Sequence, residues 1–292
     1  MPAFPLTLPL PDGRLRPLTR SDMPVLVAQL SDPRVAPWLA AVPQPFTPVE
    51  AEALLALAED PTEGVRVLEL EGQPVGCLRI APALWYWLAP SHGGRGIMTR
   101  ALGAAITAHV AGGGAPLVAT VREGNAASEA LLLRLGFSRA PRGRRMFFQA
   151  TGRAEPCQDF HLTPEQWLVL NPPLRESGAF RLRPATARDA GLMALLLPRP
   201  GPAGAAPWPS AEGIADFLET HRCRRPSTGL FVIEDDTRRT LGLVLLGREN
   251  ALLVHPSLAG SPQETALRQT VAGIGPSDAA VAADGRGTTW SG

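Results

Sequence analysis

Lysine is absent from this chain. All 28 basic residues are arginine, set against 27 acidic ones for a net charge of +1. Arg, Ala, Gly and Pro share GC-rich codons, so genome composition accounts for the bias. A charge this balanced leaves no global field to draw the protein onto nucleic acid or anionic lipid, and neither partner is expected. Cysteine is scarce. Cys77, Cys157 and Cys223 are odd in number and far apart. That excludes a disulfide framework and zinc spacing, so no metal is expected and a reducing cytoplasm is the expected location. Long apolar runs are missing too: no stretch of about 18 uncharged apolar residues occurs, so no membrane span is expected. The first ten residues alternate Pro with apolar residues and carry no basic region of the signal-peptide kind. Aromatics are few, and Tyr86 is the single tyrosine.

What is present reads as an α/β chain with a mixed sheet. At 292 residues, the length suggests roughly two domains. A strand is expected near residues 14–18, followed by a helix with Ser21 as N-cap. Thr47-Pro48-Val49-Glu50 is a capping box with Pro at the first helical position, and it opens a helix to residue 59. Strands are expected over 65–70, 75–81 and 84–88, a helix over 96–110, a strand over 117–121 and a helix over 126–135. Two more strands are expected near 145–149 and 159–162.

The chain resembles itself. Arg14-Leu15-Arg16-Pro17 recurs as Arg181-Leu182-Arg183-Pro184, and Asp22 recurs as Asp189. Val75-Gly76 matches Leu241-Gly242, and Pro90-Ser91 matches Pro256-Ser257, with 14 positions from Gly76 to Pro90 and 14 from Gly242 to Pro256. Shared residues at shared spacing point to a second copy. The expected organisation is a first domain over 1–169, a Pro-rich linker over 170–179, a second domain over 180–274 and a disordered tail over 275–292. Another loop, 198–209, is rich in Pro, Gly and Ala.

The most informative segment runs Tyr86-Trp87-Leu88-Ala89-Pro90-Ser91-His92-Gly93-Gly94-Arg95-Gly96-Ile97-Met98-Thr99. A strand ends, glycines turn the chain, and a helix begins. Several N–H groups at a helix start lack partners, and the macrodipole is positive there, so a pyrophosphate is a natural ligand. Glycines let the backbone come close to it. An ordinary strand–helix turn has the same local form.

Context adds to this. The segment resembles the acetyl-CoA loop of the GNAT superfamily, and Tyr-Trp-Leu-x-Pro with Gly-Arg-Gly-Ile is similar to the RimJ/RimL-like branch. Asn125-Ala126-Ala127-Ser128 followed by Leu135-Gly136-Phe137 resembles the family's second cofactor motif. The opening Leu-Arg-Pro-Leu-Thr and Leu162-Thr163-Pro164-Glu165-Gln166-Trp167 look like the branch as well, so the resemblance spans about residues 8–168. It implies the acyl-CoA N-acyltransferase fold, in tandem with an incomplete GNAT-like second unit. It implies acetyl-CoA as cosubstrate, held by Leu88, Gly93, Gly94, Arg95, Gly96, Ile97, Met98, Thr99, Asn125 and Ser128. It also implies an amine acceptor, either a protein N-terminus or a small amine, that attacks the thioester directly.

Two features depart from the family loop. Gly93 lacks a polar side chain, and Met98 stands where Gly or Ala is usual, with room to crowd the phosphates. Many members place a Tyr acid eight positions into the Asn motif; here that position is Leu132. The expected catalytic residues are therefore Ser128 as a donor to the leaving sulfur, Leu88 through its backbone N–H, and Tyr86, for which packing is an equal reading. No Glu sits on the strand before Tyr86-Trp87, so Glu69 or a water relay is the fallback base. These gaps leave open a CoA-binding or interaction protein without turnover. Trp38, Phe46, Trp85 and Trp87 are either acceptor-groove or core residues. In the second copy Pro262 replaces Gly96 and Glu264 replaces Met98, so this unit is expected not to bind CoA. Its incomplete sheet would leave an edge that a homodimer or the first domain would cover.

Overall fold

The computed structural model describes residues 4–81, 83–171, 180–197, 207–223, 228–247 and 250–274. Most of the expected linker, part of the 198–209 loop and the whole expected tail lie outside them. The described chain forms two compact units, divided between Thr163 and Pro164.

The first unit runs β1 (Leu8–Leu10), β2 (Gly13–Arg16), α1 (Met23–Ser31), α2 (Pro48–Glu59), β3 (Val65–Leu70), β4 (Gln73–Arg79), β5 (Trp85–Leu88), α3 (Ile97–Ala111), β6 (Leu117–Arg122), α4 (Ala126–Arg134), β7 (Ser138–Arg139), β8 (Arg144–Phe148) and β9 (Arg153–Leu162). Strands β1 to β5 form an antiparallel sheet in sequence order, and β6, β9 and β7 form a second sheet with β8 also paired to β9. Period-2 alternation gives the first sheet two buried faces. Val67, Cys77 and Trp87 pack against Leu26, Leu30, Ala51 and Leu55 of α1 and α2. Leu68 and Leu78, of opposite parity, are fully buried on the other face.

Local chemistry sets the helix starts. Thr47 caps α2: its hydroxyl accepts from Val49 N–H and its own N–H donates to Glu50 at 2.8 Å. Ser21 is not the cap of α1. A single 3-10 turn, Arg20–Asp22, precedes the helix, and Thr19 forms the capping box with Asp22. Asp22 is buried and takes both terminal nitrogens of Arg16 at 2.8 Å.

The second unit begins with α5 (Pro164–Leu170). It continues as β10 (Phe180–Pro184), α6 (Ala190–Leu196), α7 (Ile214–Thr220), β11 (Gly229–Asp235), β12 (Thr240–Leu246), β13 (Ala251–Val254) and α8 (Pro262–Ala272). Strands β10 to β13 form one antiparallel sheet in sequence order. Its core joins Met193, Leu196, Phe217 and Leu218 to Leu230, Val232 and Leu243. Thr186 and Asp189 form a capping box, and Arg183 pairs with Asp189 at 2.7 Å and Glu234 at 2.8 Å. Among the described residues no helix is long and apolar enough to cross a membrane.

Candidate active site

The two sheets of the first unit meet at β5 and β6, and they meet at one place. Leu84 bridges Ala119 in parallel, with Leu84 N–H donating to Val118 O at 2.9 Å. Among the described residues, beyond that bridge β5 pairs with β4 and β6 pairs with β9. Backbone N–H groups alternate sides along a strand. Ala89 N–H donates to Val75 O at 2.7 Å, toward β4. Tyr86 and Leu88 have the parity of Leu84, so their N–H groups face the gap between the sheets. Gly76 opposite Leu88 admits this close pairing, because a Cβ there would lie 2.4 Å from Trp87 O.

At the end of β5 the chain makes a 3-10 turn, Pro90–His92, and then enters α3 through Gly94 (φ 74°) and Gly96 (φ 69°). Both angles are left-handed, the region where a side chain is strained. A Cβ on Gly94 would meet nothing within 4 Å. Backbone conformation, not crowding, therefore calls for glycine there. Gly96 is the N-cap, and it has no side chain with which to satisfy the helix; no acidic residue stands in the first turn. Gly93, Gly94 and Arg95 are exposed. Met98 does not crowd this surface. It is buried with Ile97, Ala101, Leu102, Ala105 and Ile106 on one stripe of α3. Its side chain serves the core, and only its N–H belongs to the helix start.

The second cofactor motif opens α4. Asn125 caps that helix, accepting from Ser128 N–H at 3.1 Å. The Ser128 hydroxyl lies 2.6 Å from the Tyr86 hydroxyl. Strand β5 and the start of α4 thus bring together two residues 42 positions apart. Burial pushes the Tyr86 phenol up to about 12, against a smaller opposing effect of the Ser128 hydrogen bond. It holds its proton throughout the physiological range. Leu132, at the position of the missing Tyr acid, is fully buried.

Other expectations resolve differently. Glu69 is not poised as a base. Arg14 reaches it at 2.7 Å and Arg16 binds its second oxygen. The hydrogen bonds from Arg16 and then Arg14 hold this carboxyl below the usual range. Phe46 and Trp87 are core residues, with Trp87 Nε1 donating to Gln29 at 3.0 Å. Trp85 stacks on Trp87 with centroids 5.7 Å apart. Trp38 is 39% exposed. His109 lies 2.8 Å from Ala115 O, at the end of α3. Among the described residues no cluster of His, Cys, Asp or Glu is arranged to hold a metal. Arg122, three residues before Asn125, donates to Pro37 O at 2.8 Å and pairs with Glu155 at 3.1 Å, contacts that no sequence pattern announces.

Residues 14–138 match the family described as the acetyltransferase (GNAT) domain. Among solved structures, RimL, a ribosomal L7/L12 alpha-N-protein acetyltransferase in complex with coenzyme A, is 21% identical. That match covers 53% of this chain and 97% of that one, with a TM-score of 0.47. RimJ of Mycobacterium smegmatis, in complex with CoA-disulfide, is 25% identical over 53% of this chain and 85% of its own, with a TM-score of 0.46. The ribosomal-protein-S5-alanine acetyltransferase of Vibrio fischeri is 19% identical over 56% of this chain and 99% of its own, with a TM-score of 0.48. No curated protein matches the chain. The match to the acetyltransferase (GNAT) domain family runs from β2 to β7 and so takes in the open helix start, the gap between the sheets and the Tyr86–Ser128 pair.

Proposed function

We propose that the first unit transfers an acetyl group from acetyl-CoA to a primary amine, a protein N-terminus or a small amine, by direct attack. The observation that carries this reading is the uncapped start of α3, which opens beside the gap where Leu88 N–H is unpaired and Tyr86 meets Ser128. Residues 93–99 fit a diphosphate: their backbone N–H groups lack side-chain partners, two glycines keep the approach clear, and Arg95 adds charge. Asn125 and Ser128 would border the cosubstrate from α4.

Acetyl-CoA supplies an activated acetyl group, and the residues of this chain do the rest. Leu88 N–H donates to the carbonyl oxygen as negative charge gathers on it. The Tyr86–Ser128 pair delivers a proton to the departing sulfur, Ser128 passing on its own while Tyr86 replaces it. A relay through Tyr86 answers the weakness of a serine as an acid on its own, and it takes the place of the Tyr that Leu132 displaces. With Glu69 held by two arginines, water is the base that removes the ammonium proton.

The second unit is, in this reading, a decayed copy that does not bind CoA, located with the first in the cytoplasm. Several features support the copy. Arg183, Asp189, Thr186 and Glu234 repeat the partnership of Arg16, Asp22, Thr19 and Glu69. A register shift precedes Glu69 in β3 and Glu234 in β11. A Cβ on Gly242 would strike Leu253 O at 2.2 Å, as one on Gly76 would strike Trp87 O. The test is calorimetry with acetyl-CoA, then thiol release with a panel of peptides and amines. Binding with no acceptor turned over would leave a CoA-binding protein, and no binding at all would end the reading.

A further inference from the structure

At the start of α3, Arg100 has a partner brought from another element. It is the fourth residue of the helix and exposed, and helical side chains lean toward the N-terminus. Its guanidinium therefore lies beside the glycine loop. Nη1 donates to Arg95 O at 3.2 Å and stands 3.3 Å from where a Cβ of Gly96 would be. Nη2 donates to Asp12 at 2.6 Å. Asp12 sits in the two-residue turn Pro11-Asp12 between β1 and β2, 88 positions away. The side chains of Arg100 and Asp12 are 42% and 60% exposed. An ion pair this open to water is weak, so a change of partner costs little.

The second unit shows how such an arginine behaves with an anion at the helix start. The Glu264 carboxylate accepts from Gly260 N–H at 2.8 Å and from Arg268 at 3.0 and 2.8 Å. An arginine inside the helix and a glycine N–H before it grip one anion together. In α3, Met98 replaces Glu264 and is buried, and the helix has no acidic residue. Arg100 finds no carboxylate on its own helix and takes the one on the β1–β2 turn.

We propose that Arg100 is a further acetyl-CoA-binding residue and that Asp12 is its stand-in anion: Arg100 gives up the Asp12 carboxylate for a phosphate oxygen of the diphosphate at the α3 start. This rests on the acetyl-transfer reading above. Arginine suits the exchange. Its planar fork can keep Nη1 on Arg95 O while Nη2 changes partner, and it pairs with phosphate as well as with carboxylate. Asp12, left behind on an exposed turn, returns to water. Before the exchange Asp12 competes with the diphosphate for one cation, so acetyl-CoA binds more weakly than it would to a free Arg100.

The test is calorimetry with acetyl-CoA on the full chain: wild type, Arg100→Ala, Asp12→Asn and the double variant, with a thermal melt of each to report folding. Arg100→Ala should weaken binding about tenfold, the loss of one charge-assisted hydrogen bond. Asp12→Asn should tighten it about threefold, the release of one exposed ion pair. The double variant should match Arg100→Ala, because Asp12 acts through the arginine. With acetyl-dephospho-CoA, which lacks the 3′-phosphate and keeps the diphosphate, the Arg100→Ala penalty should be the same. An ion pair that only braces the β1–β2 turn would lower affinity in both single variants. Weaker or unchanged binding in Asp12→Asn therefore overturns the exchange, and unchanged binding in Arg100→Ala overturns the binding role. A penalty that disappears with acetyl-dephospho-CoA puts Arg100 on the 3′-phosphate and overturns the diphosphate as its ligand. A wild type that does not bind acetyl-CoA sinks the acetyl-transfer reading and takes the exchange with it; while the wild type binds, the exchange fails or holds on its own.

Discussion

At the end of β5 the chain passes through Pro90–His92 and two left-handed glycines into α3; at the end of β13 it passes through Pro256–Leu258 and one, Gly260 (φ 72°), into α8. Up to that glycine the two turns correspond, and then they diverge in what satisfies the helix. The N-cap of α3 is a glycine with no side chain to offer. Ser261 caps α8, accepting from Glu264 N–H at 3.1 Å, and the Glu264 carboxylate accepts from Gly260 N–H at 2.8 Å. Pro262, in the first turn, has no N–H at all. Glu264 is also held by Arg268, whose hydrogen bond, followed by that of Gly260, keeps its carboxyl below the usual range. One helix start is left wanting an anion; the other carries its own. A binding turn and a structural turn differ here in three side chains, while the backbone path is shared.

The sharpest way to break the comparison is to carry the proline across. Gly96→Pro should remove acetyl-CoA binding by at least about 100-fold in calorimetry, because it deletes an N–H and forbids the positive φ. A thermal melt run alongside reports whether the unit stays folded. Retained affinity would mean that the α3 start is not the anion site.

The pair behind the gap gives the next largest effect. In strand register Leu252 of β13 stands opposite Val244 as Tyr86 stands opposite Leu78, so the second unit has no phenol at this place. Tyr86→Phe should lower kcat by about 100-fold with acetyl-CoA affinity unchanged, near the lower end of what a proton donor contributes. With the phenol pushed up to about 12, the acid stays protonated, and wild-type kcat should show no fall from this group up to about pH 10, where an ordinary tyrosine would already titrate. A descending limb that vanishes in Tyr86→Phe would assign the phenol an ordinary pKa and refute the buried relay.

Much of this site was readable before any coordinates, and the physics says which part. A helix start, a capping box and a glycine turn are local, so Thr47, Asn125 and residues 93–99 announce themselves by spacing. The helical period of α3 is legible as well, and Met98 lies four positions before Leu102 on the buried stripe, so its burial follows from that same period. Contacts that join distant segments leave no such mark. Tyr86 meets Ser128 across 42 positions, and Arg122 meets Pro37 across 85. The hold of Arg14 and Arg16 on Glu69 depends on two strands, β2 and β3, in register. Sequence alone presented Glu69 as a free carboxylate.

Where the units agree, mutations should agree. Burial raises the Asp22 and Asp189 carboxyls, but hydrogen bonds from Arg16 and Arg183, with those of Thr19 and Thr186, outweigh it and leave both depressed. A carboxyl depressed in the folded state stabilises it above the ordinary range of about 4, and that contribution is lost as pH falls through the folded value. Asp22→Ala and Asp189→Ala should each cost about 2 kcal/mol in denaturant unfolding, less than a fully buried pair because the arginines are partly exposed. Both penalties should shrink below pH 4. A large cost in one unit only would show that the shared geometry does not carry shared energetics.

The smallest effect bears most directly on what closed the second turn. Glu264→Ala removes the carboxylate from Gly260 N–H and from Arg268, a small loss of stability for a first-turn acid at a helix start. The Gly260 N–H is then free, but Pro262 still withholds a donor where α3 has one, and Ser261 still occupies Glu264 N–H. Acetyl-CoA should continue to bind once per chain, with unaltered affinity. A second equivalent, even a weak one, would mean that a single carboxylate had been standing in for a phosphate and that the proline was incidental. If Pro262→Gly has to be added before a second equivalent appears, the two changes were jointly responsible for the loss.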